Sequence, residues 1–362
     1  FRPGSPDPSH FPWGAWTAAT RRGMAAAGAS AFRYPDHRGP AVLRASLARY
    51  LARVRGCDSA ADRLLICGGF TQAMDLICRV LKERGARCIA IEDPAFESLG
   101  ANITAHGLVT HRIAVDDRGM QVEQLCATAA DAVVITPAHQ YPTGAVLSPQ
   151  RRVRLLAWAR ERGALIIEDD YDAEFRYDGP ATGALQGQAI EHTLYVGTAS
   201  KTLTPALRLG WILAPAPMAA ALAALKRRVD RGASAIEQIA LAEFIEHGDL
   251  DRHLRRMRVV YRQRRDAMLA ALSRHRFPHR VHGISAGLHL MIELPRHVDE
   301  FELVRHAQSQ SVRLFAGRGF WFQPQAAPPA LVLGYGAIEL EDIDEGIAEL
   351  ARIVQEGVRP AD

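Results

Sequence analysis

Lys201 stands in Thr198-Ala199-Ser200-Lys201, directly after the apolar run Leu194-Tyr195-Val196-Gly197. The chain has 44 basic residues, of which only Lys82, Lys201 and Lys226 are lysines. An amine set between small hydroxyl residues at the end of a strand is poorly placed for ordinary surface charge. It is well placed for Schiff-base chemistry. Arg208, further along Thr202-Leu203-Thr204-Pro205-Ala206-Leu207-Arg208, adds a guanidinium fork suited to a phosphate. The pair points to a phosphorylated aldehyde, and pyridoxal phosphate fits that description. The competing reading is an exposed lysine on a helix-entry loop.

A pyridine ring that withdraws electrons must keep its nitrogen protonated, which calls for a carboxylate partner. Ile166-Ile167-Glu168-Asp169-Asp170-Tyr171 offers adjacent acids after a buried-strand pattern, with Tyr171 in reach of the ring's phenolic oxygen. Alone, such acids equally cap a helix or bind a cation. The phosphate needs backbone N–H donors at a helix N-terminus. Gly68-Gly69-Phe70-Thr71-Gln72 precedes the helical stripe of Ala73, Leu76, Ile77, Val80 and Leu81, and Thr198 and Arg208 can add a hydroxyl and a guanidinium. Phe96, in the loop Glu92-Asp93-Pro94-Ala95-Phe96, can stack on the pyridine, although by itself it reads as core. His139, in Thr136-Pro137-Ala138-His139-Gln140-Tyr141-Pro142-Thr143-Gly144, falls near the same edge. A lone histidine is more often structural.

These loops need a frame to converge. Helical and strand periods alternate, which argues for an α/β domain with a largely parallel sheet. Val42, Leu43, Leu47, Tyr50, Leu51 and Val54 form one expected helical stripe. Strands are expected at 88–91, 132–135, 164–167, 194–196 and 211–213. The first four are each followed by polar or special residues, as where ligands sit beyond the carboxyl ends of strands. From about Ala216 a long helical stretch leads through Arg252-His253-Leu254-Arg255-Arg256-Met257-Arg258, and beyond Arg280 shorter strands and helices point to a smaller C-terminal domain. The arginines interleave with Leu254, Met257, Val260 and Tyr261 at helical spacing, the pattern of a solvated helix face.

Composition sets the outer bounds. The 362 residues are 48% hydrophobic and 23% charged, as in a soluble globular chain with a large core. No apolar stretch approaches the roughly 20 residues needed to span a bilayer, and the opening lacks a signal-peptide layout. Five widely spaced cysteines, at 57, 67, 78, 88 and 126, favour reduced core thiols over a disulfide framework or a metal site. A cytoplasmic setting is expected. The net charge of +4 is too small and dispersed for nucleic-acid binding by this segment. Phe1 is not an initiator methionine, so an upstream segment is expected.

In its order of motifs the whole chain resembles the fold type I pyridoxal-phosphate proteins of the aspartate-aminotransferase superfamily. More narrowly, His139 to Gly144, Glu168 to Tyr177, Ser200-Lys201-Thr202-Leu203 and the opening with Gly4 to Asp7, Phe11-Pro12 and Trp16 resemble the aminotransferase-like domain of MocR-type, GntR-family bacterial transcription regulators. The resemblance implies a mainly parallel central sheet in a large domain at 36–250, a smaller α+β domain at 251–362 and an N-terminal segment at 1–35. It implies Lys201 as the internal-aldimine lysine, Asp169 on the pyridine nitrogen, Tyr171 on the phenolic oxygen and Phe96 against the ring. Gly69, Phe70, Thr71, Thr198 and Arg208 would surround the phosphate. Tyr34 would reach the phosphate of a neighbouring subunit, so a homodimer is implied. A winged-helix DNA-binding domain is implied upstream, and DNA contact only through it.

Two departures bear on function. Catalytic relatives place asparagine before Pro-Thr-Gly, where this chain has Tyr141, and His139 is the candidate substitute. They also carry, in a C-terminal strand, an arginine that forks onto the substrate carboxylate. The matching segment here is Leu331-Val332-Leu333-Gly334-Tyr335, and Val332 has no charge. A lost charge-assisted contact is worth roughly 1.5 to 3 kcal/mol, so α-amino acid turnover should be weak. The γ-aminobutyrate-responsive members have an arginine where this chain has Glu97. The sequence therefore favours an effector-sensing domain that responds to pyridoxal phosphate itself or to a small amino compound. The alternative is an active aminotransferase of the aminoadipate type.

Overall fold

In the computed structural model, which describes residues 1–179 and 182–357, an eight-stranded sheet forms the centre of the larger part of the chain. Its strands are β1 (Leu64–Cys67), β2 (Cys88–Asp93), β3 (Val109–Asp116), β4 (Gly119–Met120), β5 (Ala132–Ile135), β6 (Leu165–Asp170), β7 (Thr193–Thr198) and β8 (Gly210–Leu213). They lie in the order β1-β8-β7-β6-β5-β2-β3-β4. The five strands from β7 to β3 are mutually parallel, whereas β8 and β4 run antiparallel to their neighbours. Of these, β2, β5, β6 and β7 are largely buried apolar runs, as in a sheet covered on both faces, whereas β3, near the sheet edge, buries only Ile113.

The helices are α1 (Trp13–Ala27), α2 (Ala41–Arg55), α3 (Phe70–Glu83), α4 (Glu97–Ala105), α5 (Val122–Cys126), α6 (Pro149–Arg162), α7 (Ala216–Val229), α8 (Ala235–Glu246), α9 (Asp249–Arg274), α10 (Glu300–Ser309) and α11 (Asp342–Gly357). On α3, Ala73, Leu76, Ile77, Val80 and Leu81 are all buried, and each larger side chain contributes about 1.5–3 kcal/mol by leaving water. On α2 the buried stripe is Leu43, Leu47, Tyr50 and Leu51. Val42, placed in that stripe by the sequence, is 57% exposed, because it sits a helical step away from the 43-47-50-51 face.

A second, three-stranded antiparallel sheet joins β9 (Arg280–His282), β10 (His289–Glu293) and β11 (Ala330–Gly334) in the order β11-β10-β9. The 26-residue helix α9 runs through the expected start of the C-terminal domain and carries α11 on its surface. One apolar cluster runs from Leu43 and Tyr195 through Tyr261 to Leu333 and Ile347. The first residues of the chain are seated on the small sheet and on α9, since the Gly334 amide of β11 donates to the Phe1 carbonyl at 3.1 Å and buried Asp7 pairs with buried Arg264 of α9 at 2.7 Å. The last five residues of the expected C-terminal domain lie outside the described residues. Cys57, Cys67, Cys78 and Cys88 are buried free thiols and Cys126 is half-buried. No helix among the described residues is long and apolar enough to cross a membrane.

Candidate functional site

The carboxyl ends of β2, β5, β6 and β7 open onto one cavity of about 310 Å³. Three consecutive acids at the end of β6 divide between the two faces of the sheet, as the period of two requires. Glu168 accepts the amides of Leu185 and Gln186 at 2.9 and 3.1 Å, and Asp170 accepts from the Arg55 guanidinium at 2.6 Å. Asp169 points the other way. It lines the cavity, and its buried Oδ1 has no hydrogen-bond partner. Burial, with Asp170 and Asp172 nearby, holds its pKa well above the ordinary carboxylate range, so a cationic N–H donor would relieve it.

On the adjacent strand end, the Lys201 ammonium donates to the Gly4 carbonyl at 2.6 Å. Burial lowers the lysine pKa, while Asp172 and Asp169 oppose the shift, which brings the amine nearer to its nucleophilic form. Gly4 has φ +62°, which favours glycine, and a Cβ there would lie 3.2 Å from Lys201 Nζ and crowd the amine.

The far end of the cavity suits an anion. Gly69, at φ 100°, caps the N-terminus of α3 and turns the first amides of that helix toward the cavity, with Phe70 and Thr71 on its lining. The Arg208 guanidinium donates to the Gly68 carbonyl and lies against Gly69. Arg208 itself holds a left-handed backbone at φ 50°, a conformation costing about 1–2 kcal/mol for a residue with a Cβ. Thr198 Oγ1 and Ser200 Oγ are 3.0 Å apart on the same wall. An orphaned acid oxygen, a half-buried amine and an anion cradle on one cavity are the three contacts pyridoxal phosphate needs, and these residues fit it.

The cavity thus brings together Gly69, Phe70, Thr71, Phe96, Asp169, Tyr171, Thr198, Lys201 and Arg208. Phe96 is 47% exposed at the mouth, its ring 6.4 Å from that of Tyr141. Two expected residues are elsewhere. His139 is set behind the lining, with Nδ1 2.9 Å from Asp172 Oδ2 and 3.1 Å from the Tyr171 hydroxyl. Tyr141, not His139, is the residue of that loop on the cavity wall. Tyr34 is 88% exposed in a separate surface depression with Arg227 and Arg231, so it does not reach the cavity of its own chain.

Sequence reasoning also missed contributors. Glu92 is a fully buried acid on the lining, accepting from the Thr136 amide and hydroxyl at 3.0 and 2.5 Å, and burial lifts its pKa to about 7. Its signal was an acid closing an apolar strand. Gly4 carried only its place in the opening motif, and Ser200 was overshadowed by the lysine beside it. From the segment between α10 and β11, the Phe320 ring packs edge-on to Tyr141 at 5.2 Å, and the Phe320 carbonyl accepts the Ala95 amide. Val332 is fully buried against Met291, Phe320 and Trp321, so its strand position presents packing and no charge.

The sequence model for aminotransferase class I and II matches residues 4–328. The chain is 31% identical over 352 residues to the uncharacterized HTH-type transcriptional regulator YdeL of Bacillus subtilis, covering 97% of this chain and 75% of that one. It is likewise 31% identical over 359 residues to the HTH-type pyridoxine biosynthesis transcriptional regulator PdxR of Corynebacterium glutamicum, with coverage of 98% and 76%. Among solved structures, the α-aminoadipate aminotransferase LysN of Thermus thermophilus, complexed with N-(5'-phosphopyridoxyl)-L-leucine, superposes with a TM-score of 0.87 at 26% identity, covering 98% and 92% of the two chains. The chain belongs to the aminotransferase class I and II family, has the fold type I architecture, and groups with the aminotransferase-like domains of MocR-type regulators. The cofactor of this family is pyridoxal phosphate.

Proposed function

We propose that this chain is the effector-sensing and dimerisation domain of a pyridoxal-phosphate-dependent transcription regulator. Its signal is the cofactor itself or a small amino compound that competes for Lys201. The observation that carries the reading is the contrast across one cavity: Lys201 and Asp169 are arranged for the cofactor, while the strand position of the substrate-carboxylate arginine is buried Val332. When bound, pyridoxal phosphate supplies an aldehyde that links reversibly to an amine. Lys201 would present that amine, Asp169 would accept the ring N–H, and Tyr171 would donate to the ring oxygen. Phe96 would stack on the ring, and the α3 amides with Thr198 and Arg208 would hold the phosphate.

On this reading DNA contact belongs to a winged-helix domain upstream, the protein works as a cytoplasmic homodimer, and Tyr34 serves the partner's site. A ligand shifts such a switch only by the difference in its affinity for the two states. A catalytic aminotransferase of the aminoadipate type is the second reading, favoured by the superposition on LysN.

The test is visible absorption of the purified protein with pyridoxal phosphate, compared with Lys201→Ala, during addition of a panel of amino compounds and a keto acid. A Lys201-dependent band that shifts with an amine, without repeated turnover of keto acid, supports the sensor. A band indifferent to every amine identifies the cofactor as the signal. Sustained product formation overturns the sensor in favour of the enzyme.

A further inference from the structure

His139 and Asp172 form a buried pair directly behind Tyr171, outside the cofactor's contacts. Their side chains are 3% and 2% exposed, and His139 Nδ1 lies 2.9 Å from Asp172 Oδ2 and 3.1 Å from the Tyr171 hydroxyl. One nitrogen therefore faces two oxygens, and only one proton can lie between them. If Nδ1 carries it, the nitrogen donates to the carboxylate, and the Tyr171 proton has no acceptor on His139 and must point elsewhere. If Nδ1 is bare, it faces an anionic oxygen lone pair to lone pair and captures the tyrosine proton. The carboxylate selects the first arrangement, as a carboxylate behind a histidine selects its tautomer.

The ring has little freedom to escape this choice. Gly287, at φ +75°, packs its backbone so closely that a Cβ there would fall 2.2 Å from His139 Cε1 and 2.7 Å from Asp172 Oδ2. The Gly287 carbonyl is itself held by the hydroxyls of Tyr177 and Tyr335 at 2.5 and 2.7 Å. On the other side, the His289 ring stands 5.2 Å from that of His139, and its Nε2 is engaged by the Pro142 carbonyl at 3.1 Å. The clamp thus comes from the β9–β10 connection and the start of β10 in the small sheet, far in sequence from the loop that carries His139.

We propose that His139 and Asp172 are positioning residues that aim the Tyr171 hydroxyl proton into the cavity, toward the ring oxygen of the cofactor. The inference rests on the cofactor reading above. His139 then replaces the asparagine of catalytic relatives by acting through Tyr171, without touching the cofactor. A proton donated to that oxygen stabilises its negative charge and lowers the pH at which the neighbouring nitrogen of Lys201 loses its proton. Loss of the Asp172 charge, by simple electrostatics, also lowers it, so the two effects have opposite signs when Asp172 is replaced.

The test is the pH titration of the Lys201-dependent visible band in four proteins: unsubstituted, Tyr171→Phe, Asp172→Asn and the double variant. Other charged or titratable groups facing the site, namely Asp169, Glu92, Tyr141, His289, Arg208 and Arg2, are common to all four and cancel in the comparison. The expected result is a midpoint shift on Asp172→Asn that is about one pH unit more upward with Tyr171 present than with phenylalanine, the size of one charge-assisted hydrogen bond. Equal shifts in the two backgrounds overturn the proposal and leave Asp172 as a distant charge. His139→Asn gives the same comparison without removing the carboxylate: an upward shift that vanishes in Tyr171→Phe supports the relay, and one that persists overturns it. Lack of any Lys201-dependent band in the unsubstituted protein would instead overturn the cofactor reading, and this inference with it.

Discussion

Replacing Asp169 by asparagine should move two measurable quantities in opposite senses. In the cofactor-free protein Asp169 is half-buried, but its Oδ1 is buried and unpartnered, and such a group destabilises the fold by about 1–3 kcal/mol. Asparagine keeps the shape and removes the charge. For 362 residues at about 2.1 cal/mol/K per residue, 1 kcal/mol corresponds to about 1.3 °C, so Tm should rise by about 1–4 °C near neutral pH. The sign with pH follows from the raised pKa. The folded chain binds this proton more tightly than the unfolded chain, so the wild type is fully relieved below the ordinary value of 3.8 and loses that stabilisation as pH rises through the folded value. The advantage of the variant therefore disappears in acid. With cofactor, the variant forfeits a charge-assisted hydrogen bond of about 1.5–3 kcal/mol, and Kd for pyridoxal phosphate should rise about ten- to a hundredfold. Scanning calorimetry of the cofactor-free proteins and absorbance titration with the cofactor give the two numbers. A fall in Tm, or an unchanged Kd, refutes the argument that Asp169 is held without a partner for the ring nitrogen.

Two further outcomes follow from the same burial. Arg55→Met leaves Asp170 as an uncompensated charge, because the pair is 2.6 Å apart with both side chains almost wholly buried; the loss is about 3–5 kcal/mol, a fall in Tm of about 4–7 °C, and Arg55→Met with Asp170→Leu should recover most of it. Glu92, with a pKa lifted by burial from 4.5 to about 7, binds its proton more tightly in the folded chain, so the cofactor-free protein should lose stability as pH rises across that interval; Glu92→Gln should flatten this part of a Tm-versus-pH curve, and an unchanged slope would show that Glu92 is not its source.

Much of the sheet and the nine cavity residues could be read in the sequence because the chemistry sits where apolar runs stop. Each motif, at Gly69, Phe96, Asp169 and Lys201, is local, and a parallel α/β sheet brings strand ends together without further information. Long-range pairings were illegible. The Gly4 carbonyl meets Lys201 across 197 positions, and His139 meets Asp172 across 33, with no local pattern marking either. For His139 the sequence located the loop but not the layer, since a loop residue can face a ligand or its neighbours' backs with equal ease. Val42 failed for a simpler reason: an apolar residue at the first turn of a helix fits the composition of a stripe without sharing its angle.

The division of Glu168, Asp169 and Asp170 between the two faces of β6 constrains how this strand can change. Substitution at any one of them has a local effect, confined to an amide pair, a ring contact or an ion pair. A one-residue insertion or deletion upstream within the strand is different in kind. It would turn Asp169 toward Arg55 and aim a neighbour at the cavity, exchanging all three duties at once. A substitution in this strand therefore damages one duty, whereas a shift of phase damages all three, and changes of length among related chains should collect in the loops beyond Tyr171.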